Sequence, residues 1–308
     1  MKSRDTLWTP LFLVFVFMLL YLVGFIPTER LGMDENPYLT VVVLQLVIYA
    51  VPALFYCRLR GRDFGSKLRL RLPRPGHALY LLYAAVFLIG GSALISMGMF
   101  GLFPESFAAG SSAVYTEFAR NAGVFDGLYI IMAFAILPAV TEELLFRGIT
   151  AGSYETMGVF TAVVISSLAF AMSHFSFVRF PVYFFSGLVL AGVMYATRSL
   201  PASMLIHTLN NAFVLFLEKF VLHVAEKRSI SMILFLIIVG FFTLAAAVLM
   251  CVEAGNLYEG YAQENVPSDY VVRRKGGAML SLAQSLFSPA FLAVVVLYVA
   301  ATLFGVHT

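Results

Sequence analysis

Long apolar runs alternate with short polar stretches along the whole chain, at about 7–26, 38–56, 77–103, 127 onward, 158–177, 181–197, 201–222, 230–252 and 287–305. A helix rising 1.5 Å per residue needs about 20 residues to cross a hydrocarbon core of about 30 Å, which is the length of these runs. They predict an all-α fold: a polytopic membrane helical bundle of about eight or nine transmembrane helices, forming a single integral membrane domain over 1–308. The first run follows Lys2 and Arg4, is long for the apolar part of a signal peptide and has no A-x-A site before Pro27. It is therefore expected to stay as an uncleaved first span.

Composition removes the soluble alternative. With 61% hydrophobic residues, 12% charged and a mean hydropathy of +0.90, the chain carries more apolar surface than a soluble domain of 308 residues encloses. The charges then orient it. Threading the spans in order puts 14 of the 20 Lys and Arg on one side, with a dense basic loop of Arg58, Arg60, Arg62, Lys67, Arg69, Arg71 and Arg74. Six fall on the other, where the connection from Phe103 to Asp126 carries Glu105, Glu117 and a single base, Arg120. The basic side is expected to be cytoplasmic and to hold the N-terminus, in the cell membrane of a bacterium or the endoplasmic reticulum of a eukaryote. The 253–286 segment, acidic first and then Arg273-Arg274-Lys275, reads as a cytoplasmic loop lying on membrane lipid headgroups. The net charge of +3 is spread over loops rather than one face, so no nucleic acid partner is indicated. Cys57 and Cys251 both fall toward the reducing side, which argues against a disulfide. There is no internal repeat of the kind many secondary transporters show.

Against this apolar background the stretch Pro138-Ala-Val-Thr-Glu142-Glu143-Leu-Leu-Phe-Arg147-Gly148 stands out. An ionisable group in a membrane segment is costly unless paired or wetted, so its presence is by default a pointer to function. Glu143 and Arg147 are four apart and face the same way, while Glu142 is turned about 100° to the next stripe. Two further polar sets lie on later spans: Phe170-Ala-Met-Ser-His174, and His207-Thr-Leu-Asn-Asn211 with its imidazole and amide one turn apart. Helix rise places Glu142, His174 and His207 at depths that overlap only loosely, so a tilted helix or wet cavity is needed to bring them together. Each set also has an ordinary reading. Glu143 with Arg147 is a common helix pair, His174 beside Phe170, Phe175 and Phe177 reads as a helix-end histidine, and His207 with Asn211 reads as interhelical glue. Asn210, His223 and His307 are assigned no role.

Taken together the sets suit hydrolysis of an unactivated carbonyl. A carboxylate removes a proton from water, a histidine holds that water or carries the proton on, and neutral donors accept the charge that grows on the carbonyl oxygen. Glu142 suits the base, with Arg147 nearby favouring its ionised form. His207 and Asn211 on one face suit an oxyanion clamp.

The order E-E-x-x-x-R, F-x-x-x-H, H-x-x-x-N over about residues 125–220 resembles the CAAX protease and bacteriocin-processing family of intramembrane peptidases, which includes the eukaryotic type II CAAX prenyl endopeptidase. The resemblance implies a helical fold with a central polar chamber and a catalytic core over 125–220. It implies that Glu142 and His174 activate water, that His207 and Asn211 hold the oxyanion, and that Glu143 and Arg147 support Glu142, with Phe170 also in the site. A protein or peptide substrate follows, either a lipidated C-terminus or a bacteriocin-like precursor. No cofactor is expected. A divalent metal on Glu142, His174 and His207 is the alternative, although H-E-x-x-H is absent. Phe184-Phe185-Ser186-Gly187 lacks the glycine of a serine intramembrane protease, and the G-x-G-D of the aspartyl class does not occur. Outside proteolysis, the remaining readings are a membrane transporter and a non-proteolytic immunity or scaffold protein.

Overall fold

Backbone groups in hydrocarbon must satisfy one another, and within a single segment only a helix does so. The computed structural model describes residues 4–24, 26, 30, 37–61, 68–109, 124–267 and 277–304, and all regular elements among them are helical. In chain order they are α1 (Arg4–Val23), α2 (Leu39–Arg60), α3 (Pro75–Leu102), α4 (Gly127–Met157), α5 (Val159–Met172), α6 (Phe180–Thr197), α7 (Leu200–Glu226), α8 (Ile230–Gln263), α9 (Ala278–Leu286) and α10 (Pro289–Leu303). A short helix, Pro104–Ala109, follows α3.

Six of these helices, α2, α3, α4, α6, α7 and α8, are long and apolar enough to cross a membrane, and α9 with α10, bent by 60°, makes a seventh if the pair is one span. Among the described residues six or seven spans are thus found by length and composition, and the expected eight or nine are not reached. Two of the expected runs fall short. The apolar helix Trp8–Val23 is one, and α5 is the other, with 14 residues or about 21 Å of rise. α5 is short because Gly158, at φ +102°, starts it late and the chain leaves the helix before Phe175, at φ +45°. Of the expected loop charges, Lys2, Arg62, Lys67, Glu117, Arg120, Arg273, Arg274 and Lys275 lie outside the described residues, as does His307.

Proline shapes the helices that carry the site. Pro52 in α2 and Pro138 in α4 each follow a widened π turn, Leu46–Ala50 and Met132–Ile136. A proline has no N–H and its ring crowds the carbonyl four residues back, and a wider turn accommodates both. A third π segment, Leu144–Ala151, has no proline after it and contains Arg147. Such turns recur at functional sites.

The core is built around Leu145 and Phe146 of α4, Ile165, Ala169 and Phe170 of α5, Met194 and Tyr195 of α6, and Leu200 of α7. α5 and α6 approach closely because residue 187 is glycine: a Cβ there would lie 2.8 Å from the Cβ and 2.9 Å from the Cα of Ser167. At one end of the bundle, Arg69 Nη1 donates to Glu155 Oε1 at 2.7 Å, the Leu200 N–H to the Arg69 carbonyl at 2.9 Å, and Arg71 Nε to the Arg198 carbonyl at 2.8 Å. At the other, Arg179 joins Glu218 and Phe107. The described residues of the basic loop thus share one end with Arg198, and Arg179 sits at the opposite one.

Candidate active site

Four helices contribute to the polar cluster. α4 supplies Glu142, Glu143 and Arg147; α5 and the turn after it supply Phe170 and His174; α7 supplies His207 and Asn211; and α2 adds a residue that sequence reasoning passed over, Gln45. Helix α7 is aimed by its start, where the Ser199 hydroxyl accepts the Ala202 N–H at 3.2 Å and Pro201 occupies the first turn. A capped, proline-started N-terminus fixes where each later residue points.

The two glutamates are neighbours with different surroundings. Glu143 is fully enclosed and saturated: Arg147 Nη1 donates to its Oε1 at 2.7 Å, the Ser203 hydroxyl donates to its Oε2, and His207 Nδ1 lies 3.0 Å from Oε1. Arg147, also 0% exposed, sends Nη2 to the Gly187 carbonyl at 3.2 Å and lies 4.4 Å from the centre of the Phe170 ring. A buried ion pair persists only with this kind of geometry and added hydrogen bonds.

Glu142, 5% exposed, has almost no such support. Its Oε1 is 3.5 Å from Gln45 Nε2, and its Oε2 has no hydrogen-bond partner among the described residues. The nearest cationic or imidazole group to Oε2 is His207 Nε2 at 4.0 Å, beyond hydrogen-bond range. One imidazole thus faces both carboxylates, bonded to Glu143 through Nδ1 and turned toward Glu142 through Nε2.

Phe170 is the divider of the site. Its ring meets His207 edge to face at a centroid distance of 5.5 Å, His174 at 5.0 Å and Phe146 at 5.5 Å. His174 is held by the Phe170 carbonyl, 2.9 Å from Nδ1, and its ring stacks on Tyr183 at 3.8 Å with an interplanar angle of 19°. Its described contacts are with Phe170, Ser173 and Tyr183 and do not include Glu142. Asn211, one turn beyond His207, donates from Nδ2 to the Ala135 carbonyl at 3.3 Å, inside the π turn of α4.

The cluster therefore brings Glu142, Glu143, Arg147, Phe170 and His207 together directly and places His174 and Asn211 at its edges. Among the described residues no group of three or more His, Cys, Asp or Glu side chains could hold a metal ion, so Glu142, His174 and His207 do not converge as a ligand set. Gln45, Thr141 and Ser203 were missed by sequence reasoning. Signals pointed to two of them, Gln45 as an amide inside the apolar 38–56 run and Ser203 as a serine one turn before His207 on the same face.

With this geometry in hand, comparison with known proteins gives a consistent answer. The family described as type II CAAX prenyl endopeptidase Rce1-like matches residues 124–213, the segment that holds all of the site except its α2 contribution. The membrane-embedded CAAX protease MroQ of Staphylococcus aureus (strain USA300) is 23% identical over 235 residues, covering 69% of this chain and 90% of its own length. No solved structure matches the chain significantly. Both matches support a hydrolase of the protease class in a multi-pass membrane protein. Residues 124–213 of this chain are thus similar to the Rce1-like type II CAAX prenyl endopeptidase family.

Proposed function

We propose that this protein is an intramembrane endopeptidase of the glutamate type, with Glu142 as the general base. The observation that carries the reading is the contrast between the two glutamates: Glu143 has every oxygen engaged, while Glu142 keeps a buried, unbonded Oε2 4.0 Å from His207 Nε2. A gap of this size lets the carboxylate meet an attacking water while His207, carrying a proton on each ring nitrogen so that Nδ1 donates to Glu143 and Nε2 to the substrate, meets the carbonyl oxygen on the same carbon, each at about 2.7–3.1 Å. Water gives its proton to Glu142 Oε2, its oxygen bonds to the scissile carbonyl carbon, and the carbonyl electrons move to the oxygen facing His207 and Asn211. Collapse of this intermediate breaks the C–N bond, and the amine leaves with the proton held on Glu142. Glu143 and Arg147 hold His207 in register and offset one another's charge.

The substrate is a peptide C-terminus bearing a lipid, a bacteriocin-like precursor being the second candidate. The CAAX names of the matched family and of the staphylococcal relative support this class, as does the placement of the site among membrane helices. The N-terminus and the basic loop face the cytoplasm, so such a C-terminus would reach the site from that side.

The test is cleavage of lipidated and unlipidated C-terminal peptides by the purified protein and its Glu142→Gln variant. Cleavage by the wild type and none by a folded Glu142→Gln is expected; equal cleavage by both would sink the proposal.

A further inference from the structure

Gln45 lies on α2, outside residues 124–213, in a run that is otherwise apolar. A primary amide among membrane helices is costly without partners. Gln45 finds its partners on two consecutive residues of α4. The Thr141 hydroxyl donates to its Oε1 at 2.9 Å, and its Nε2 reaches Glu142 Oε1 at 3.5 Å. An ionised carboxylate only accepts hydrogen bonds, which sets the amide with nitrogen toward Glu142 and oxygen toward Thr141. The two carboxylate oxygens are thereby distinguished: Oε1 faces Gln45, and Oε2 is left bare toward His207.

Resting on the function proposed above, we propose that Gln45 is a positioning residue, which holds Glu142 by Oε1 so that Oε2 faces the reacting carbon. The two α4 residues it grips lie just past the π turn forced by Pro138, and Gln45 itself immediately precedes the π turn Leu46–Ala50. The grip therefore joins the two widened helices at the height of the base. An amide suits a general base because it serves both protonation states. It donates to Oε1 of the carboxylate, and once Oε2 has taken the proton from water it goes on donating to Oε1, by then the carbonyl oxygen of the acid. A misplacement of about 1 Å in a reacting group costs up to about a hundredfold in rate, so loss of this contact falls on the chemical step.

The test uses the purified full chain and a farnesylated C-terminal peptide. Gln45→Met keeps the length of the side chain and removes its polar end. Turnover (kcat) should drop about tenfold or more, with KM within about twofold and the melting temperature near that of the wild type. Thr141→Val frees the other end of the amide and should give a smaller loss of kcat. The double variant should lose no more than Gln45→Met alone, because both changes act through one line of contact.

Wild-type kcat in Gln45→Met, with Glu142→Gln inactive, overturns the positioning role and leaves the endopeptidase reading standing. A rise in KM at unchanged kcat also overturns it, by making Gln45 a substrate contact. Cleavage by Glu142→Gln overturns the endopeptidase reading itself and the inference with it. If Gln45→Met fails to fold, Thr141→Val decides alone, and unchanged kcat overturns the proposal.

Discussion

Glu143 and His207, 64 residues apart in the chain, meet with Oε1 and Nδ1 3.0 Å apart, and this contact divides the work of two adjacent glutamates. Glu143 is the only counter-ion touching Arg147 among the described residues, and both side chains are fully enclosed. Glu143→Gln leaves a buried guanidinium without its charge partner, which typically costs about 3–5 kcal/mol. Thermal unfolding in detergent should show a large drop for Glu143→Gln and a small shift, or a gain, for Glu142→Gln, which removes a buried charge whose Oε2 has no partner. Equal effects of the two changes would contradict this division.

How much of this was legible beforehand depends on distance along the chain. The pairing of Glu143 with Arg147 is a helix-spacing matter, and so is the shared face of His207 and Asn211. Membrane character followed from run length alone. The contact of Glu143 with His207 was not legible, because helix rise gave depths that only loosely overlapped and said nothing of rotation. The π turns ahead of Pro52 and Pro138, and the one containing Arg147, reset that rotation by a fraction of a turn. The sequence reading had Glu143 and Arg147 supporting Glu142. The observed contacts run from Glu143 to His207 and Ser203, and from Gln45 to Glu142. The left-handed residue that cuts α5 short, Phe175, carries no residue-type signal, since most such positions hold glycine or asparagine.

Gly187 lets α5 and α6 touch, and its carbonyl accepts from Arg147. In Gly187→Ala the new methyl meets the Ser167 backbone at 2.9 Å, which no side-chain rotation relieves. The helices must separate, and the Arg147 contact lengthens with them. Overpacking of this kind costs about 1–3 kcal/mol. A fall in melting temperature together with reduced cleavage is expected, and a variant as stable as the wild type would show that the two helices separate freely here.

Cleavage should be indifferent to chelators. The two imidazoles lie against one phenyl ring, Phe170, and His207 Nδ1 is bonded to Glu143, so Glu142, His174 and His207 form no metal-holding group among the described residues. Turnover measured after prolonged incubation with a strong chelator should match that of untreated enzyme. Loss of turnover that zinc restores would require a different arrangement of these side chains.

Arg179 and Glu218 form a second buried pair at the end of the bundle away from the basic loop. Nη1 donates to Oε1 at 2.9 Å, Nη2 donates to the Phe107 carbonyl at 3.1 Å, and the guanidinium lies 4.1 Å from the centre of the Phe107 ring. Burying two charges is nearly offset by their attraction, so the pair adds little net stability while each member depends on the other. Arg179→Met strands Glu218, and Glu218→Gln strands Arg179; either should lower stability by about 3–5 kcal/mol. The double variant Arg179→Met with Glu218→Met should recover most of that loss, because no unpaired charge remains. A double-mutant cycle on melting temperature reads the coupling directly. Additive losses would mean that Arg179 acts through Phe107 and the short Pro104–Ala109 helix rather than through Glu218.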